Sequence, residues 1–404
     1  AGSGGGMAVD GGNPALSSVT YTGNSATTNG GGLAVLSGAP TLNNVTFAGN
    51  SAASGGGMYV AAGSPALSNP TFSDNTATAD GGGLYLLDSG AALSNATFAG
   101  NTAAGNGGGM YTGSGDPTLS IVTLSGNEAA NGGGLYVQGG TPGLTLTRVS
   151  FRDNEAIAGS GGGVFNAAGS PTLVNVAFSQ NTATAGGGGL HTADGSPALT
   201  NVTFGGNTAA MGGGLNAAGG NATLTNGIVW GNSATTWSQI AGTVTVTYSD
   251  VQGGYAGASN IDDDPLFVEG SLALSAGSPA IDQGNSAAPG LAGVAVDLAG
   301  NPRFRDDPGI ENGAGGDVDM GAYEFQGVTP VIADRLYVNR SADGANTGLS
   351  WEDAFAELRS ALAVATPSGD EPVEIWVAAG TYTPSDSDRN AFFPLKNGVH
   401  VYGG

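Results

Sequence analysis

The sequence has no cysteine, so neither disulfides nor thiolate metal sites hold it together. Positive charge is nearly missing as well. Nine Lys and Arg, with Lys396 the single lysine, face 32 Asp and Glu, and the net charge is −23. Such a field repels phosphate backbones and anionic membrane surfaces, which excludes nucleic acid as a partner. No apolar run approaches the roughly 20 residues that a membrane-spanning helix needs, so membrane insertion is not expected, and the sequence contains no secretory leader pattern. What abounds is glycine, 76 residues of 404, against about 7% in an average soluble protein. These glycines have no Gly-X-Y period, which rules out collagen, and an apolar content of 40% is too high for a disordered linker. Acid is unevenly spread: residues 1–260 hold ten carboxylates, with Arg148 and Arg152 as the basic residues, and the other 22 carboxylates follow Asn260.

Periodic glycine is the organising signal. Triplets begin at Gly4, Gly30, Gly55, Gly81, Gly107, Gly132, Gly161, Gly187 and Gly212, spaced 25 to 29 residues apart. A second anchor is an Asn three residues after an aromatic or aliphatic side chain: Asn24, Asn50, Asn75, Asn101, Asn127, Asn154, Asn181, Asn207 and Asn232. The repeats show no 3.6-residue pattern and contain short alternating runs instead, such as Leu84-Tyr85-Leu86 and Val45-Thr46-Phe47. Two or three short strands per repeat predict an all-β fold, a right-handed parallel β-helix. Each repeat of about 26 residues is then one coil, stacked on the next at ~4.8 Å.

Stacking turns each repeat position into a column. The residue after the triplet (Met7, Leu33, Met58, Leu84, Met110, Leu135, Val164, Leu190, Leu215) is large and apolar and points inward. Two residues on, a second inward column starts as Val9, Val35, Val60 and Leu86 and decays to Asn166, Thr192 and Ala217. Leu42, Leu67, Leu119, Leu173 and Leu199 supply a third. The anchor asparagines predict a ladder, each amide donating to one coil and accepting from another, at a turn where Asn tolerates left-handed backbone. A second, incomplete column holds Asn44, Asn69, Asn95, Asn175, Asn201 and Asn226, with Arg148 substituting once. Asn44 and Asn95 also open glycosylation sequons, although the ladder already accounts for the asparagine and β-propensity for the threonine.

At these residues the chain resembles the polymorphic outer-membrane-protein-type repeats, marked by a GGA-aliphatic phrase and FxxN. Phe47–Asn50, Phe72–Asn75 and Phe98–Asn101 match the second hallmark, while the first departs, with Gly where that family often has Ala. Further on, NIDDDPLFV (Asn260–Val268), GSPAIDQGN, DLAGNPR and DVDMGAYE resemble the closing region of bacterial choice-of-anchor Q surface proteins. RLYVNRSADGANTGLSWEDAFAELRSALAVA and EIWVAAGTYTP then resemble the opening of another β-helix of that group. The resemblance implies secretion or display on a bacterial cell surface. The expected organisation is β-helix coils over 1–242, closing coils and a C-terminal cap over 243–325, a joint at 326–334, and the N-terminal cap and first strands of a following β-helix over 335–404. In that last part Ser350 and Asp353 fit a capping box opening a short capping helix, with Trp351, Phe355, Leu358 and Leu362 as its apolar stripe up to about Ala365. Both ends of the sequence read as lying within solenoids, so a tandem array or head-to-tail filament is expected, with the protein itself as partner.

The candidate sites are few. The residue between the two inward columns reads Tyr59, Tyr85, Tyr111, Tyr136, Phe165 and His191 over six coils and faces outward by strand alternation. It is a contact surface for a partner or a surface glycan, or a stack that only stabilises the sheet. Arg148, Arg152, Asp153 and Glu155, with Glu128 one coil earlier, form the best charged cluster, read either as catalytic or as an exposed ion-pair patch. Asp262, Asp263 and Asp264 precede Pro265 and present either a calcium site or a solvated turn. Arg303 with Asp319 or Glu324 is expected to be a structural ion pair. No catalytic residue and no cofactor is expected, calcium aside. The functional expectation is a non-enzymatic, extracellular structural or adhesive module. The alternatives are a carbohydrate-active enzyme (polysaccharide lyase or glycoside hydrolase) and a glycan-binding adhesin.

Overall fold

Each repeat folds into a glycine turn, a strand, a loop and a second extended stretch, and every stretch pairs with its counterpart one repeat on. The computed structural model describes residues 2–139, 143–328, 333–367, 372–385 and 391–404. Pairing along the solenoid is parallel and follows the repeat, with Leu33 opposite Met58, Met58 opposite Leu84 and Leu84 opposite Met110. Among the described residues, the large wall joins 23 strands, two or three from each coil, and a narrower wall has eight short strands running from Ser51–Ala52 to Ser233–Thr236. The three predicted inward columns line a single apolar core together with a phenylalanine column, Phe47, Phe72, Phe98, Phe151, Phe178 and Phe204. These six phenyl groups are fully buried, and burying each contributes about 1.5–3 kcal/mol.

The three glycines of a triplet are required for two different reasons. The first has φ between 60° at Gly212 and 72° at Gly161, a left-handed turn that side chains resist. The other two have ordinary φ but no room: a Cβ on Gly56 would lie 2.5 Å from the Gly82 and Thr76 carbonyl oxygens, and one on Gly57 would lie 2.6 Å from that of Gly83. In the next coil after Gly212, Trp237-Ser238-Gln239 takes the place of the triplet. Gly212, Gly214 and Leu215 donate to the carbonyls of Thr236, Ser238 and Gln239, as Gly187, Gly189 and Leu190 do one coil earlier to Met211, Gly213 and Gly214.

The strands Ile240–Thr247 and Asp250–Val251 complete the last coil. Tyr255 packs on the end of the core, and the Asn260 amide donates to the Val246 and Tyr255 carbonyls. Beyond that point the expected closing coils do not form. The closing segment instead turns back and lies against the outside of the large wall, where its backbone bonds to polar side chains of earlier coils.

Residues 335–404 contain three parallel strands, Arg335–Val338, Val373–Val377 and Val399–Gly403. Val373 pairs with Val399, a separation that matches the coil period of the solenoid. The helix Leu358–Val364 covers them, burying Ala361, Leu362 and Val364 in a separate apolar cluster with Leu336 and Ile375. Half of the expected capping box is made and it opens no helix: the Asp353 amide donates to Ser350 Oγ at 3.0 Å, while the Asp353 carboxylate accepts from the Ser350 hydroxyl at 2.9 Å. Asp353 also accepts from the Ala345 amide and its carbonyl accepts from Gly348, which ties this turn to the preceding loop. Phe355 therefore bridges to Val338 rather than sitting on a helix, and the helix begins at Leu358. Part of the expected joint at 326–334, residues 329–332, lies outside the described residues.

Candidate functional site

The anchor asparagines form a continuous ladder. Asn50 Nδ2 donates to Asn75 Oδ1 at 2.9 Å and to the Tyr21 carbonyl at 2.9 Å, and its backbone amide donates to the same Oδ1 at 3.0 Å. The pattern repeats through Asn75, Asn101, Asn127, Asn154, Asn181 and Asn207. It begins at Asn24, and at Asn232 the amide turns to Gln239 Oε1 at 2.8 Å. Both amide hydrogens and both acceptor sites are used in every interior rung, which is why a column of amides tolerates near-complete burial. The ladder asparagines are not the left-handed residues; the residue before each one is, as at Gly49 (φ 60°) and Asp74 (φ 55°).

The left-handed asparagines form the second column, from Asn44 (φ 53°) to Asn226 (φ 55°). Asn69 donates to Asn44 at 2.9 Å and Asn95 to Asn69 at 2.8 Å, after which Ile121 and Arg148 interrupt the column at φ 58° and 57°. From Asn175 onward it holds the closing segment. Asn175 Nδ2 donates to the Val296 carbonyl at 2.8 Å, Asn201 Nδ2 to Asp319 at 3.0 Å, and Asn226 Oδ1 accepts from the Asn285 amide at 2.7 Å. A third polar column precedes the triplets: Asn106 donates to Asp80, and Asn131 to Asn106. Its sequence signal was the polar residue in front of most triplets.

The aromatic column points out of the core but is not open. Tyr59, Tyr85, Tyr111, Tyr136 and Phe165 stack face to face with ring centroids 4.5–5.3 Å apart, and His191 follows at 4.9 Å, tilted by 32°. Tyr59, Tyr111 and His191 are each only 8% exposed. Burial raises the pKa of the four phenols, with the Asp80 carboxylate adding to this at Tyr85, Tyr111 and Tyr136. Burial also pushes His191 down to about 4, so its imidazole is neutral, and its Nδ1 has no hydrogen-bond partner. Ring faces engaged with one another present only edges and hydroxyls to a ligand.

The charged cluster does not converge. Arg152 pairs with its exposed neighbour Asp153 at 2.9 Å, Glu128 and Glu155 sit directly opposite each other as like charges, and Arg148 donates to the Leu298 carbonyl at 3.5 Å. Asp262 accepts the amide of Gly253 from the preceding loop, Asp264 that of Leu266 in its own turn, and the Asp263 amide donates to Asp250. Among the described residues, no three His, Asp or Glu side chains gather as metal ligands would.

Acids do gather beneath the closing segment. Arg303, fully buried, pairs with Glu324 at 3.0 Å and donates to Asn175 Oδ1 at 2.8 Å and to the Gly321 carbonyl at 3.0 Å. Of the two expected partners it takes Glu324. Asp319 accepts the amides of Asp282 and Phe325, Asp282 accepts that of Asp307, and Asp297 accepts that of Glu324. Burial raises Asp282 to about 9 and Asp319 to about 7, and burial with the adjacent Asp319 charge pushes Glu324 upward against the pull of the Arg303 guanidinium. Sealed from solvent, these acids bond the closing segment to itself, and Arg303 locks it to the solenoid through Asn175.

Residues 1–123 and 44–209 match the family described as the right-handed β-helix region, together more than half of the chain. No curated protein and no solved structure gives a match. With parallel coils, one continuous core and this family match, the chain belongs to the right-handed β-helix family.

Proposed function

We propose that the protein is a non-enzymatic, extracellular structural module, a stiff β-helix spacer followed in series by a second β-helix unit. The observation that carries this reading is the use of its polar side chains. The asparagine ladder bonds coil to coil, and the second asparagine column and the buried Arg303 bond the closing segment to the coils. Serial modules are supported by residues 335–404, where parallel strands resume at the solenoid's own period over a separate apolar cluster. Other modules of the same kind, in tandem or head to tail, are its partners in this reading. Display on a bacterial surface is supported by the acidic, lysine-poor composition and by the resemblance to outer-membrane-protein-type repeats and choice-of-anchor Q closing regions.

The enzymatic alternative has a place to reside, a groove of about 510 Å³ between the solenoid and the closing segment, bordered by Arg152, Gln180 and Tyr323. No Asp or Glu lines it, whereas hydrolysis or elimination on a polysaccharide calls for a positioned acid or base. The test is turnover. The full chain is incubated with pectin, alginate, xylan and chitin, and reducing ends and unsaturated products are followed. No product is expected. Product formation that is lost in Arg152→Ala would replace this reading with the enzymatic one.

A further inference from the structure

Nine coils obey a rule that the tenth breaks. The first residue of each triplet is glycine with a left-handed φ, and at Gly212 a Cβ would come within 3.0 Å of the Asn216 and Ala241 Cβ atoms. In the following coil Trp237 holds that position at φ 51°. Left-handed backbone brings the Cβ of a bulky residue too close to the following carbonyl oxygen and is disfavoured. The indole is also 64% exposed, so neither backbone preference nor burial explains it. Exceptions of this kind collect at functional sites.

The neighbours are exceptions too. Met211, 39% exposed, stands before its triplet where earlier coils carry Asn29, Ser54, Asp80, Asn106, Asn131, Ser160 and Gly186. Asn216 takes the ring position after His191 and ends the aromatic column with an amide. Trp237, Met211, Asn216, Ile240 and Tyr255 border a cavity of about 610 Å³. A second cavity of about 450 Å³ shares Met211 and Asn216 and adds the hydroxyls of Ser160, Thr235 and Thr236. In a chain of net charge −23, neither cavity is lined by an acid, lysine, arginine or histidine.

We infer that this groove binds a neutral sugar residue of an oligosaccharide. The exposed indole offers an apolar face to the C–H side of a pyranose, and the hydroxyls of the exposed Thr235 and Thr236 can both donate to and accept from its hydroxyl groups. A charged ligand would find no counter-charge there. A purely apolar side chain from a protein would desolvate the threonine hydroxyls without replacing their hydrogen bonds. The site is independent of the spacer role, so its failure would leave that role standing.

The test is calorimetric titration of the full chain with maltohexaose, cellohexaose and chitohexaose, with hexagalacturonate as the charged control. At least one neutral hexasaccharide should give a saturable response. Trp237→Gly should weaken it at least tenfold while keeping or raising the thermal midpoint, because glycine restores the repeat's own residue. Tyr85→Ala should leave the affinity unchanged. The inference is overturned by no saturable response to any neutral sugar, by a response undiminished in Trp237→Gly, or by a response to hexagalacturonate alone. It is also overturned if Trp237→Gly converts a dimer to a monomer in sedimentation, which would assign the patch to a second copy of the chain.

Discussion

Asparagine does three jobs in this protein, each set by where the side chain stands relative to the coil. Inside the turn it forms a buried ladder, outside it supplies left-handed corners, and before the triplet it bonds to the equivalent residue of the neighbouring coil. Ile121 departs most sharply from this scheme, a β-branched residue at φ 58°, 43% exposed, directly after Asn95 in the corner column. Ile121→Asn should therefore raise stability in thermal or denaturant unfolding by about 1 kcal/mol, by relieving the left-handed penalty and adding a donor to Asn95. A decrease would contradict the assignment. The ladder was legible in the sequence because nine asparagines shared one period. The left-handed turn was placed one residue late, since Gly, Asp and Gln all serve there and leave no single-letter column.

At the scale of elements, the coils were readable and the closing segment was not. Coil strands repeat, and their partners lie one period away. The closing segment has no repeat, and its contacts reach far along the chain, as from Asn175 to Val296 and from Asn201 to Asp319. The second asparagine column carried a hint, because its later members lose their solvent exposure only by taking this segment as partner. The helix before the second set of strands was misplaced for a related reason: Ser350 and Asp353 do bond to each other at capping-box spacing, but they hold a loop.

The closing segment's lock is pH-sensitive, with a definite sign. Asp282 and Asp319 have pKa values raised by burial in the folded state, to about 9 and about 7. Between the ordinary carboxylate range and those values the folded state holds more protons than the unfolded state, so stability falls as pH rises. Hydrogen exchange corrected for its intrinsic pH dependence should show residues 295–325 less protected at pH 9 than at pH 6, with the coils around Asn101 and Asn127 unchanged. Greater protection at pH 9 would reverse the sign assigned to the cluster.

At the scale of the whole molecule, the account joins a solenoid stiffened by continuous side-chain columns to a second unit with its own apolar cluster. Its central claim is that the ladder makes the module mechanically resistant. Asn127→Ala removes the acceptor of Asn101 and the donor to the Phe98 carbonyl and to Asn154, a loss of about 3 kcal/mol when buried partners are left unsatisfied. The most direct test is to pull the full chain from its two ends by single-molecule force spectroscopy. The prediction is a solenoid unfolding force that drops in Asn127→Ala while the event from residues 335–404 stays where it was. An unchanged solenoid force in that variant would contradict the claim.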